Sequence, residues 1–110
     1  MPSHAVDRQT IREMIENWAI WRDSGDWKRL RSLWHDDGVM SATVFEGPVN
    51  DFIDLVRRAH EKGVTAQHIL GGISIDVNGD RAVAQIRATV GQRAPVHDVL
   101  CDVICTVRFY

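Results

Sequence analysis

The chain has 110 residues, a formal net charge of −2, and 45% apolar and 25% charged side chains. That length builds one core and not two, and the balanced charge, with no Lys/Arg-rich run, argues against nucleic acid as a partner. No apolar run approaches the roughly 18–20 residues of a membrane span, and the opening MPSHAVDRQT lacks the basic and apolar blocks of a signal peptide, so the expectation is a cytoplasmic protein with no membrane partner.

Ile11, Met14, Ile15 and Trp18 follow the i, i+3, i+4, i+7 spacing of an amphipathic helix, with Arg12, Glu13 and Glu16 on the other side. The expected helix runs from about Asp7 to Arg22, capped by Asp7 or by a Thr10/Glu13 capping box. Ser24-Gly25 punctuates it. Asp26 then caps a second helix that carries Trp27, Leu30, Leu33 and Trp34 on one face. All four tryptophans therefore fall between Trp18 and Trp34, around one acidic residue, Asp23, at a helix end.

His35-Asp36-Asp37-Gly38 reads as a turn. Val39 to Phe45 reads as one strand, ended by Glu46-Gly47-Pro48. The helical period returns with Val49, Phe52, Ile53, Val56 and Ala59, and Gly63 supplies a left-handed stop.

Beyond Gly63 the period changes from 3.6 to 2. Ile73, Ile75 and Val77 alternate with polar residues, and Asn78-Gly79 is a strong hairpin signal. The return strand places Ala82, Ala84, Ile86, Ala88 and Val90 on one face, and Gly91 to Pro95 reads as the next connection. The last strand alternates Val99, Cys101, Val103, Cys105, Val107 and Phe109, with Leu100 and Ile104 on its other face. Such a sheet is expected to be covered twice, by helices on one side and by a second subunit on the other, in a homodimer or homotrimer. The strand pattern reaches Tyr110, which predicts at least one further C-terminal strand. Cys101 and Cys105 lie about 13 Å apart along a strand, beyond disulfide reach, and read as free thiols.

Helix, helix, strand, helix and then long antiparallel strands is an α+β order. With Asp23-Ser-Gly-Asp26-Trp27, Leu30, Leu33-Trp34-His-Asp-Asp37, Phe45-Glu-Gly47, His68 and Asn78-Gly79-Asp80-Arg81-Ala82 in these positions, the chain resembles the SnoaL-like branch of the NTF2-like superfamily over essentially its whole length. The resemblance implies a cone: a strongly curved, mostly antiparallel sheet around three helices, with a pocket at one end. The family continues past the final strand seen here. Its scytalone dehydratase and dehydrochlorinase members use a histidine base oriented by an aspartate from the end of the first helix, and His68 and Asp23 occupy those motif positions. The same fold also hosts non-catalytic members.

Removing a proton next to a leaving group needs a base that titrates near neutrality, which histidine supplies. A carboxylate on its second nitrogen fixes the tautomer, and an apolar wall excludes water. Asp23 and His68 fit the first two parts. Trp18, Trp21, Trp27, Trp34, Phe52 and Leu70 are candidates for the wall, around a small hydrophobic or aromatic molecule. Against this, Asp23 can simply end a helix, His68 can be a satisfied strand histidine, and tryptophans are usually core. His35, Asp36 and Asp37 are read as a solvated turn rather than a metal site, and Gly71-Gly72 as a bulge. With no nucleotide fingerprint or Cys-x-x-Cys motif, no cofactor is expected. The expected activity is cofactor-independent elimination, dehydration or isomerisation. The alternatives are a ligand-binding member or a protein-interaction module of the same fold.

Overall fold

The computed structural model describes residues 4–109. Helix α1 spans Ala5–Ser24 and α2 Trp27–Arg31, followed by strands β1 (Val39–Ala42) and β2 (Phe45–Pro48), helix α3 (Val49–Glu61), and strands β3 (Thr65–Asn78), β4 (Arg81–Val96) and β5 (Val99–Phe109). Helices followed by an antiparallel sheet make this an α+β fold, as the element order predicted. The sheet has three strands in the order β3-β4-β5 and is not closed into a barrel.

α1 starts earlier than expected. His4 is its N-cap residue, Asp7 lies inside the first turn, and the Thr10 hydroxyl donates back to the Val6 carbonyl instead of capping. Its end follows the sequence signal: Gly25 takes a left-handed φ of 78° and closes the helix. The absence of a side chain at Gly25 matters twice, because a Cβ there would sit 3.2 Å from the His60 ring. Asp26 caps α2 by accepting from the Arg29 N–H at 3.2 Å. That helix is only a turn and a half, and Leu33 and Trp34 lie beyond it in turns that still pack on the core.

Val39 to Phe45 is not one strand. The chain reverses at Thr43-Val44, and Met40 pairs with Gly47 and Ser41 with Glu46 in a two-stranded ribbon. The alternation of apolar residues hid this turn because it contains no glycine or proline.

β3 begins at Thr65, well before the alternating stretch at Ile73. The register slips between Leu70 and Ile73, at Gly71-Gly72. A bulge adds one residue and flips the parity of the strand beyond it, so His68 and Leu70 share a face with Ile73, Ile75 and Val77. Their partners on β4 are Val90, Ala88, Ile86, Ala84 and Ala82. Gly71 has its own reason to be glycine, since a Cβ would stand 3.3 Å from the Arg87 carbonyl oxygen.

Two turns differ from expectation. In the first hairpin Asn78 pairs with Arg81, so Gly79-Asp80 forms the turn. The stretch from Gly91 to Pro95 is no connection but continues β4, and the reversal falls at His97-Asp98, both with positive φ (48° and 65°). A two-residue hairpin of this kind needs left-handed residues, which aspartate and histidine tolerate better than most.

The core has a helical centre of Leu30, Val49 and Ile53, packed by Trp18, Trp21, Trp27, Leu33 and Trp34. Ala19, Ile75, Ile86 and Ala88 are buried between α1 and the sheet. α1 is tied to β3 near both ends. Arg8 donates to the Ile75 carbonyl, and Asp23 accepts from His68. Fifteen residues of helix rise about 22 Å and seven of strand about 23 Å, so the two ties match when α1 runs antiparallel to β3.

Candidate active site

Asp23 lies in the last turn of α1, where Gly25 is about to turn the chain away, and its carboxylate reaches the edge of the sheet. β3 is an edge strand, so alternate N–H groups point away from β4 and need another partner. The His68 N–H is one of these and donates to Asp23 Oδ2 at 2.6 Å. The His68 ring meets the other oxygen of the same carboxylate, Nδ1 to Oδ1, also at 2.6 Å. One carboxylate thus holds both the backbone and the ring of one residue. Since a carboxylate accepts, Nδ1 is the donor in this contact, which in the neutral ring leaves the proton off Nε2.

The His68 side chain is 5% exposed and that of Asp23 19%. Burial pushes the imidazole below its ordinary value of 6.5 by penalising the charged form; the Asp23 hydrogen bond opposes this, and the nearby Arg22 guanidinium adds to the lowering. The net direction is down, which favours the neutral imidazole. Arg22 Nη1 lies 4.0 Å from Asp23 Oδ1.

Beside the pair is a cavity of about 910 Å³, open on one side and mainly apolar. Trp18, Trp34 and Leu70, three of the six expected wall residues, line it together with Met14, Met40 and Ile86. The other three do not. Trp21 packs on the helical core with the Arg29 guanidinium over its ring, Trp27 sets its edge against His60, and Phe52 is buried against Phe45. Asp23 and His68 do not themselves line the cavity. Trp18 joins the two regions: it forms part of the wall, and its ring meets His68 edge-on with centroids 5.1 Å apart.

Met14 was legible only as a core-facing helix residue. Met40 belongs to the ribbon that the sequence presented as a single strand. The turn at His35-Asp36-Asp37 is held through its backbone, where Arg31 donates to the carbonyls of His35 and Asp36. Among the described residues, no helix is long and apolar enough to cross a membrane.

The sequence profile of the SnoaL-like domain matches residues 3–109. The chain belongs to the SnoaL-like domain family. This SnoaL-like domain is 36% identical to pea pathogenicity protein 2 of Fusarium vanettenii over 97% of its own length and 47% of that protein, so it spans about half of that curated relative. It is similar to the crystal structure of an NTF2-like protein with a cystatin-like fold from Novosphingobium aromaticivorans. There the TM-score is 0.65 with 29% identity, over 93% of this chain and 69% of the other. A Catenulispora acidiphila structure solved in complex with S-DNPA shares the fold, with a TM-score of 0.60 and 20% identity over 94% of this chain and 79% of that one. The SnoaL-like domain is therefore an NTF2-like α+β domain, and the helix-end carboxylate and strand histidine are features of its own sequence.

Proposed function

We propose that the domain binds a small cyclic or aromatic molecule and removes a proton from it, with His68 as general base and Asp23 as the residue that orients it. The observation that carries this reading is the two-point hold of Asp23 on His68, beside an apolar cavity. A histidine that only satisfied the strand would need one partner for its N–H. Here the second carboxylate oxygen also meets the ring, which supports a tautomer protonated on Nδ1 with Nε2 as the basic nitrogen.

In the step itself, Nε2 takes a proton from a carbon next to the leaving group. The C–H electron pair becomes the new carbon–carbon double bond, and the leaving group departs with its own bonding pair. The imidazolium, facing Asp23, then returns the proton to the leaving group or to water. Isomerisation shares the same first step, with the proton returned to a different carbon. No redox partner is required for either outcome.

A substrate in the cavity meets Trp18 before it meets His68. The proposed reaction therefore requires that ring to shift, or a substrate edge to pass beside it, for the reacting carbon to reach Nε2. The same observation favours a second reading, a non-catalytic ligand-binding domain in which Trp18 closes the cavity and His68 stays structural. The Catenulispora protein, solved with a ligand, shows that the fold accommodates small molecules. A panel of cyclic hydroxy and halo compounds separates the readings. Catalysis predicts turnover that falls by about 10²- to 10⁴-fold in His68→Gln. Binding without turnover, or unchanged turnover in the variant, supports the second reading.

The face of the sheet away from α1 carries exposed Ile69, Val83 and Ile104. We propose this face as the contact of a homodimer or homotrimer. Light scattering on the wild type and on Ile104→Lys tests it, the expected outcome being a smaller species in the variant.

A further inference from the structure

We infer that Arg22 is a positioning residue of the Asp23–His68 pair: its guanidinium balances the Asp23 charge, so that the three groups together are neutral while the imidazole is unprotonated at Nε2. This inference rests on the reading of His68 as base. Successive side chains on a helix diverge by about 100°, so adjacent residues do not ordinarily meet. Arg22 nonetheless turns back until Nη1 lies 4.0 Å from Oδ1, the same oxygen that faces the imidazole. Its side chain is 21% exposed. Burial disfavours the charged guanidinium, and Asp23 opposes that effect.

Counting charges gives the consequence. With neutral His68, Arg22 and Asp23 cancel. When His68 gains a proton, these three groups carry a net positive charge, and Asp23 must serve two cations with one carboxylate. Without Arg22 the same protonation would leave the remaining pair neutral. Arg22 therefore opposes the imidazolium, which keeps the base neutral at neutral pH and makes its conjugate acid readier to release the proton. On α1 the charged groups facing the ring are Asp23 and Arg22. Its cross-strand partner on β4 is the uncharged Val90, and the next residue along that row is the exposed Cys105 of β5.

The bland account of Arg22 is a cation in the last turn of a helix, favourable to the helix dipole. It predicts lost stability on substitution and no change at His68. A titration of the His68 ring by nuclear magnetic resonance, on the whole chain without substrate, separates the two. In Arg22→Gln the midpoint is expected to move up, and in Arg22→Lys to stay near the wild-type value. Arg22→Met gives the same upward shift with a side chain suited to burial, which covers the case in which the glutamine variant folds poorly. A midpoint unchanged in the uncharged variants overturns the inference. Failure of the base reading is a separate result: it appears as undiminished turnover in His68→Gln, whatever the titration of the Arg22 variants shows.

Discussion

Two of the short acid–base pairs among the described residues look alike in distance and behave in opposite ways. At the junction of α1 and β3, His68 Nδ1 meets Asp23 at 2.6 Å. On the far part of β4–β5, Arg93 clasps Asp102 through Nε and Nη2 at 2.7 and 3.0 Å. In the exposed pair the hydrogen bond dominates: it raises the pKa of Arg93 and lowers that of Asp102, favouring both charges. In the buried pair desolvation outweighs the carboxylate, and the histidine is driven toward neutrality. Proximity alone does not decide protonation. The water left around a pair does, and at the more buried pair burial favours the neutral imidazole.

The packing around the two pairs differs in the same sense. Leu30, fully buried under the tryptophans, stands for the helical side, and Leu100, 62% exposed, for the β4–β5 arm. The largest expected effect is on the proposed catalysis, the loss of turnover in His68→Gln. Next comes stability. Leu30→Ala is expected to cost about 2–5 kcal/mol in denaturant unfolding, whereas Leu100→Ala should leave the midpoint almost where it was. A similar loss in both would erase the contrast between the two regions. Asp23→Ala leaves the His68 N–H without its acceptor at the sheet edge, for an expected loss of about 1–3 kcal/mol. Asp102→Ala, at an exposed and salt-screened pair, should give no measurable change.

The smallest effect is the dependence of stability on pH. The folded state holds His68 below its ordinary value, so as pH falls below about 6.5 the unfolded chain takes up the proton first. Stability is then expected to decline with falling pH, until the folded-state histidine protonates as well. His68→Gln should remove that part of the slope. A slope that survives in the variant, or that runs the other way, would assign the effect to other groups.

How much of this was legible in the sequence depends on the range of each signal. Periodicity located the three helices, and Gly25, Asp26 and Gly63 marked their ends, because caps and left-handed glycines act within a single turn. The glycine pair at residues 71–72 marked the bulge, whereas the face that the strand presents beyond it is set by the register, which depends on β4. The ribbon of β1 and β2 was missed because Thr43-Val44 carries no turn residue. The length of β4 was misjudged because Gly91 and Pro95 resemble loop residues, although Pro95 lies near the strand end in an arm beyond β3. At the site, Asp23 and His68 stood out through family resemblance, 45 positions apart in sequence. Which tryptophans face the cavity could not be read from spacing. Trp18 and Trp34 do and Trp21 and Trp27 do not, because the turn after α2 and the crossing of α1 over β3 set their directions. Arg22 was hidden for a similar reason, since only the burial of its side chain distinguishes it from an ordinary helix-end cation.

In the proposed site, Asp23 keeps His68 as a neutral ring with its proton on Nδ1. The most direct measurement is the nitrogen resonance pattern of the His68 ring in the whole chain at neutral pH, compared with Asp23→Asn. A protonated Nδ1 and an unprotonated Nε2 are expected in the wild type, with that preference weakened in the variant. An imidazolium at neutral pH, or a wild-type ring carrying its proton on Nε2, would contradict it.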